Sequence, residues 1–176
     1  VAAMIEIFRS LKDRILPNAL YGVATVQEEV GLRGAQTSSA LVSPDIGINL
    51  ESGVAADYPG ITQDEAQEKL GDGPGIFLHD ASMLPNLKLR DFIVEVAREK
   101  SIPVQYEILS GYGEDGAEMQ RTRGGAPSIN IAVPTRYLHS HNGIINRQDF
   151  DYAVDLVSSV ILKLDAKTVD YLKAFD

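Results

Sequence analysis

The chain has no cysteine and no tryptophan among its 176 residues, and only three histidines. The missing cysteine removes disulfides, thiolate metal sites and thiol nucleophiles together, so any metal site must use His, Asp and Glu, a hard to borderline donor set. Positive charge is also scarce: 16 Lys and Arg stand against 25 Asp and Glu, for a net charge of −9. That balance opposes the phosphate backbone, so nucleic acid is not an expected partner. No apolar run approaches the roughly 20 residues of a membrane-spanning helix. The opening "VAAMIEIFRSLKDRI" meets charge too early for a secretory signal. The expectations are therefore no membrane partner and a cytoplasmic location. No serine sits in a G-x-S-x-G elbow, and neither "GDGPG" (71–75) nor "GYGEDG" (111–116) carries the Lys-Ser/Thr of a phosphate loop, so both read as turns.

What is present fits one domain over 1–176: 44% of residues are hydrophobic and 23% charged, with no internal repeat or linker. The chain opens on Val1 without a Met and reads as a piece of a longer protein. Met4, Phe8, Leu11 and Ile15 recur at helical spacing, and Pro17 and Asn18 end that helix. "YGVATVQ" reads as a buried strand that stops at Glu28 and Glu29, and "GLRGAQTSSALV" as a turn into a short helix. "PDIGINLES" alternates Ile46, Ile48 and Leu50 against Asp45, Gly47, Asn49 and Glu51, which is strand periodicity. Residues 52–75 are polar and rich in Gly and Pro, the composition of a long functional or mobile loop. Then come a strand at "IFLHD", a helix through Leu89, Phe92, Ile93, Val96 and Ala97, and a strand at "IPVQYEIL". A second polar loop with room for one helical turn precedes the strand "SINIAVP". A final long helix runs through Phe150, Val154, Val157, Val160 and Ile161, with Asn146 or Asn142 as cap, before a short helical tail. Helices alternating with short apolar strands predict an α/β fold, a twisted, mostly parallel sheet flanked by helices.

In such sheets ligands bind beyond the carboxyl ends of strands. Glu28 and Glu29 follow one expected strand, Glu51 follows the next, and His139 follows "INIAVP". Side chains of adjacent extended residues point to opposite sides, so Glu28 and Glu29 should do different jobs: one holds a metal while the other handles a proton. A random Glu-Glu pair is usually a solvated turn, but this one interrupts an apolar run and leads directly into Gly31 and Gly34. His139 and His141 would share one face of a strand and so also offer a metal pair, whereas His79 reads as an ordinary core or surface residue.

The segments "VQEEVGLRGA", "GDGPGI" and "PTRYLHS" followed ten residues on by Asp149 together resemble the glutamyl-aminopeptidase or deblocking-aminopeptidase family of dinuclear metallopeptidases, some of which have carried a cellulase or endoglucanase label. The resemblance runs from about Val1 to Leu164. It implies a zinc-exopeptidase-like catalytic domain, incomplete at its N-terminus, acting on peptide substrates with two divalent ions (Zn or Co, or Mn). Carried over by position, Glu28 becomes the general base, Glu29 and His139 ligands of one ion, and Glu51 a ligand of the second, where the family more often has Asp. "GEDGAEMQ" is similar to the family's "GGTDA" loop, which places Asp115 on the substrate side; His141 receives no family role. The family's His-x-Asp motif, its bridging Asp and its inserted dimerisation domain have no counterpart within 1–176, so this chain alone should bind metal poorly and hydrolyse peptides slowly or not at all. Assembly into homo-oligomers, dodecamers in the complete family, is implied too. Two other readings remain: a glycosidase with paired carboxylates, disfavoured by the lack of Trp, and a non-catalytic, truncated interaction protein.

Overall fold

The computed structural model describes residues 1–175. Its elements in chain order are α1 (Ala2–Leu11), α2 (Arg33–Val42), β1 (Gly47–Val54), β2 (Gly75–Asp80), α3 (Leu87–Glu99), β3 (Gln105–Leu109), α4 (Gly116–Arg121), β4 (Ser128–Arg136), β5 (Ile144–Ile145), α5 (Arg147–Lys163) and α6 (Ala166–Lys173). The sheet order is β1-β4-β2-β3, with β5 beside β4. β1 pairs with β4 in parallel and β2 with β3 in parallel, while β2 and β4 run antiparallel, so the expected α/β sheet is a mixed one. No helix among the described residues is long and apolar enough to cross a membrane.

Strand alternation decides the layers. Ile48 and Leu50 of β1, Ile129 and Ile131 of β4 and Ile76 of β2 share a core with Leu89, Ile93 and Val96 of α3 and Leu156, Val157, Val160 and Ile161 of α5. α1 adds Ile7 and Leu11 to that core, and α6 adds Leu172. Asn86 caps α3 by accepting the Leu89 N–H, and Asn146 caps α5 by accepting that of Gln148, which chooses between the two expected caps. The opposite face of the sheet meets α4, and Gly47 comes so close to Met119 that a β-carbon there would lie 2.9 Å from that side chain.

Three local expectations fail. Residues 21–27 are exposed, irregular and outside the sheet: a strand exists only by pairing, and no sheet strand among the described residues pairs with this segment. On α1 the buried face is Ile7 and Leu11, whereas Phe8 is exposed and Ile15 lies beyond the helix, fully in solvent. The 52–75 stretch is not a free loop. β1 continues through Val54, Ala55 bridges to Glu68, and Ala66 and Glu68 are wholly buried. The polar side of β1 is itself covered: Asn49 is buried and donates to Asn130 at 3.2 Å.

Candidate metallopeptidase site

The turn that carries the glutamate pair is set by close backbone approach. Gly34, in the first turn of α2, donates its N–H to the Val26 carbonyl at 2.9 Å. A β-carbon on Gly34 would stand 2.4 Å from the Val26 backbone, so only glycine fits. The Glu28 carbonyl then accepts from Gly31 at 3.0 Å and Leu32 at 2.9 Å. Glu28 is left partly buried and Glu29 exposed, the division expected of neighbours with different jobs.

Opposite this turn, the chain leaves β4 through Tyr137 and His139, both in the left-handed region. The two histidines 139 and 141 therefore lie in a turn, not on one face of a strand; His141 is exposed and His79 sits on β2, half-buried. Among the described residues seven non-glycine residues have left-handed φ, and four of them (Gln27, Leu32, Tyr137, His139) form or flank this site. Such residues cost about 1–3 kcal/mol each and persist where the surroundings over-determine them. Here the surroundings are specific. Asp57 forms two hydrogen bonds of 2.7 Å with the Arg136 guanidinium, and the Tyr58 ring packs on Tyr137 with centroids 4.6 Å apart.

Across the gap His139 Nε2 lies 3.4 Å from Glu29 Oε1. Both side chains are exposed, so as an ion pair this contact stabilises little. As a carboxylate and an imidazole turned toward one point, it is a two-ligand arrangement. The other expected residues gather beside it. Glu28 is held above its usual carboxylate range by burial first, then by the charges of Glu51, Glu29 and Asp115, with His139 acting in the opposite sense. All five residues expected from the sequence thus share one electrostatic neighbourhood, although Glu51 lies within β1, opposite Ala132, rather than past its end.

Two acids of this cluster are legible only in the fold. Glu114 is 8% exposed, and its carboxyl is pushed up to about 9 by burial, by the charge of Glu51 and a hydrogen bond to it, and by Glu28 and Asp80. Asp80 is buried and accepts from the Ser82 N–H and hydroxyl, the Met83 N–H and, at 2.7 Å, the Asn130 amide. Asp115 is 5% exposed; its Oδ2 accepts from the Thr25 hydroxyl at 2.6 Å and its Oδ1 has no partner. The sequence signal for Glu114 was its place beside Asp115 in a loop already singled out, but nothing in the sequence paired it with Glu51.

A crowd of carboxylates with one imidazole, one buried oxygen unpaired and two acids forced toward neutrality is chemically suited to divalent cations, which relieve the repulsion. The fit is in kind and not in number. Among the described residues no three His, Asp or Glu side chains are arranged to hold a metal ion. Glu29 and His139 supply two ligands, short of the three or four protein ligands that zinc sites use.

The M42 glutamyl aminopeptidase family matches residues 1–156. This chain belongs to that family. The M42 chain is 36% identical over 174 residues to FrvX of Escherichia coli (strain K12), an alignment covering 99% of this chain and 48% of FrvX. In three dimensions it is similar to a TET aminopeptidase from the marine sediment archaeon Thaumarchaeota archaeon SCGC AB-539-E09, with a TM-score of 0.94 and 44% identity, over 97% of this chain and 48% of that one. It is also similar to the Pyrococcus horikoshii TET1 peptidase, which assembles into a tetrahedron or a large octahedral shell, with a TM-score of 0.81 and 28% identity, over 92% of this chain and 46% of that one. The M42 chain thus spans about half the length of the relatives it matches.

Proposed function

We propose that this chain is the larger part of the catalytic domain of a metal-dependent aminopeptidase that removes N-terminal residues from peptides. The observation that carries the reading is the split of the glutamate pair: Glu29 turned to His139 as a ligand pair, Glu28 partly buried beside it with raised proton affinity. Glu29 and His139 would hold one divalent ion (Zn, Co or Mn) and Glu51 would contribute to a second. When bound, such ions polarise the scissile carbonyl and acidify the attacking water. Glu28 takes the proton that this water loses and returns it to the leaving amine; a base whose pKa is raised toward neutrality suits both halves of that transfer. Asp115, with a buried free oxygen next to Glu28, faces the substrate side.

By ligand count, residues 1–176 form a partial catalytic domain that binds metal weakly by itself and reaches full activity only with ligands from elsewhere. The complete protein is a cytoplasmic homo-oligomer in this proposal, supported by the shells formed by the related TET1 peptidase. A glycosidase would need its carboxyl pair roughly 5–9.5 Å apart across a sugar. The carboxylates here instead gather round an imidazole, and the chain has no Trp for a sugar platform.

The test is metal content together with hydrolysis of aminoacyl-p-nitroanilides, on this chain and on a version extended upstream. The extended protein should bind about two ions, lose activity to chelators and lose at least a hundredfold in kcat on Glu28→Gln. Activity that survives chelation, or an extended protein that binds no metal, would overturn the reading.

A further inference from the structure

The segment from Ala55 to Pro74 contains no helix or strand, yet three carboxylates grip its backbone. Asp57 accepts the Leu70 N–H, Glu107 on β3 accepts those of Gln67 and Glu68, and Asp149 on α5 accepts those of Gly71 and Gly73. Glu68 is a fourth acid of a different kind. Its carboxyl fills a slot between β1 and β2 that exists because both strands present glycine there. A β-carbon on Gly53 would lie 1.8 Å from Oε2, and one on Gly75 would lie 1.5 Å from Oε1. The residue is 0% exposed and neither oxygen has a hydrogen-bond partner. The charged groups acting on it are both carboxylates, Glu107 and Asp149, and the residues of β1 and β2 that meet its carboxyl at Gly53 and Gly75 bring no side chain. Burial first, and those two acids next, raise its pKa well above the ordinary value.

A buried cation could in principle neutralise such a group. Glu107 and Asp149, however, already direct their oxygens at backbone N–H groups, and no three acids among the described residues converge. A proton is the counter-ion the geometry allows.

We propose that Glu68 is a proton-held latch for the 55–74 segment: neutral, it seats in the two-glycine slot, and ionised, it leaves the slot and lets the segment open. The consequence reaches the candidate site. The same segment carries Asp57, which pairs with Arg136, and Tyr58, which packs on Tyr137, the two supports of the turn that presents His139 to Glu29. Opening removes both supports, so the Glu29–His139 pair loosens as pH rises.

Hydrogen exchange followed by mass spectrometry on the 176-residue chain, at pH 5.5 to 8.5 and corrected for intrinsic rates, tests this. The opening equilibrium of amides 67–73 should grow close to tenfold per pH unit for the one proton that Glu68 loses on opening, while α3 amides show no such slope. Glu68→Gln should remove that tenfold-per-unit component, and Glu68→Met should repeat the result with an apolar side chain of similar length. Glu107→Gln, run in parallel, isolates that acid's own share. Amides 137–139 should gain the same pH-dependent opening component in the wild type and lose it in Glu68→Gln. A wild-type slope absent from 67–73, or one unchanged in both Glu68 variants, overturns the latch. Suppression of opening by millimolar calcium or sodium at fixed pH would put a cation in the slot and overturn it as well.

Discussion

Asp149 explains why two separated stretches of this sequence occur together. It is wholly buried in the first turn of α5, and its two oxygens accept the N–H groups of Gly71 at 2.7 Å and Gly73 at 3.0 Å. The "GDGPG" turn and the acid ten residues after His139 are therefore one physical unit. Each hydrogen bond to a charged acceptor contributes about 1.5–3 kcal/mol, and a buried donor left without a partner costs about 1–3 kcal/mol. Gly71 is exposed and can turn to water, whereas Gly73 is buried and cannot. Asp149→Ala should therefore cost about 3–4 kcal/mol, with the Gly73 donor and the first-turn charge of α5 as the main losses. Asp149→Asn keeps one acceptor and should cost about half as much. Urea denaturation monitored by circular dichroism reads both values, and the alanine variant should melt roughly 10 °C below the wild type for a chain of this size. An alanine variant within 1 kcal/mol of wild type, measured with an unchanged m-value, would refute the claim that Asp149 holds the turn.

Stability of the metal-free chain should be greatest near pH 4–5 and decline toward pH 8. Glu68, Glu107 (pushed up to about 7 by burial) and Glu114 (about 9) all have folded pKa values above the usual 4.5. Their stabilisation is thus fully present below 4.5 and lost as pH rises toward each folded value. On the acid side Asp57, lowered by its hydrogen bonds with Arg136, loses its contribution as pH falls below 3.8. Thermal melts across pH 4–9 check this, and a maximum at pH 8 would contradict it. Glu68→Gln should stabilise the chain increasingly as pH rises above 4.5, because the unfolded chain then gains an ionisation that the buried acid forgoes; unchanged stability at pH 7 would contradict this. Gly73→Ala should unfold the turn around Pro74, because Gly73 has φ +93° and a β-carbon would meet the Pro103 carbonyl oxygen at 2.1 Å; a fully folded variant with native exchange protection would count against that. The exposed apolar groups Ile5, Phe8, Tyr21, Val23 and Val26 lie on α1 and the unpaired segment 21–27, so the isolated chain should self-associate and Phe8→Ser with Val23→Lys should reduce it. Light scattering during size-exclusion chromatography decides that, a strictly monomeric wild type being the adverse result.

Much of the architecture was legible locally. The spacing of Leu89, Ile93 and Val96, and of Val154, Val157, Val160 and Ile161, marks which face of each helix leaves water, and those faces are the ones buried on the sheet. The alternation of Ile48 and Leu50 with Asn49 and Glu51 likewise fixed the two sides of β1. Glu28, Glu29, Glu51, Asp115 and His139 could be chosen because turn chemistry, strand ends and motif order are local properties, and the fold gathers all five.

Pairing was not legible, and that is where the tertiary structure decided. "YGVATVQ" has the composition of a strand and lies outside the sheet, because a ladder needs a neighbour that composition cannot supply. The 52–75 stretch has the composition of a mobile loop and is instead gripped by Asp57, Glu107 and Asp149, two of which come from distant elements. Glu68 and Glu114 look like any surface glutamates in the sequence, yet packing closes over both and shifts their protonation. The sequence by itself determined which faces are apolar and which residues are candidates for the chemistry, since these depend on side-chain type and spacing along the chain. Only the fold determined which carboxylate meets which partner, because a carboxyl group's charge state and contacts depend on the groups that long-range packing brings within a few ångströms.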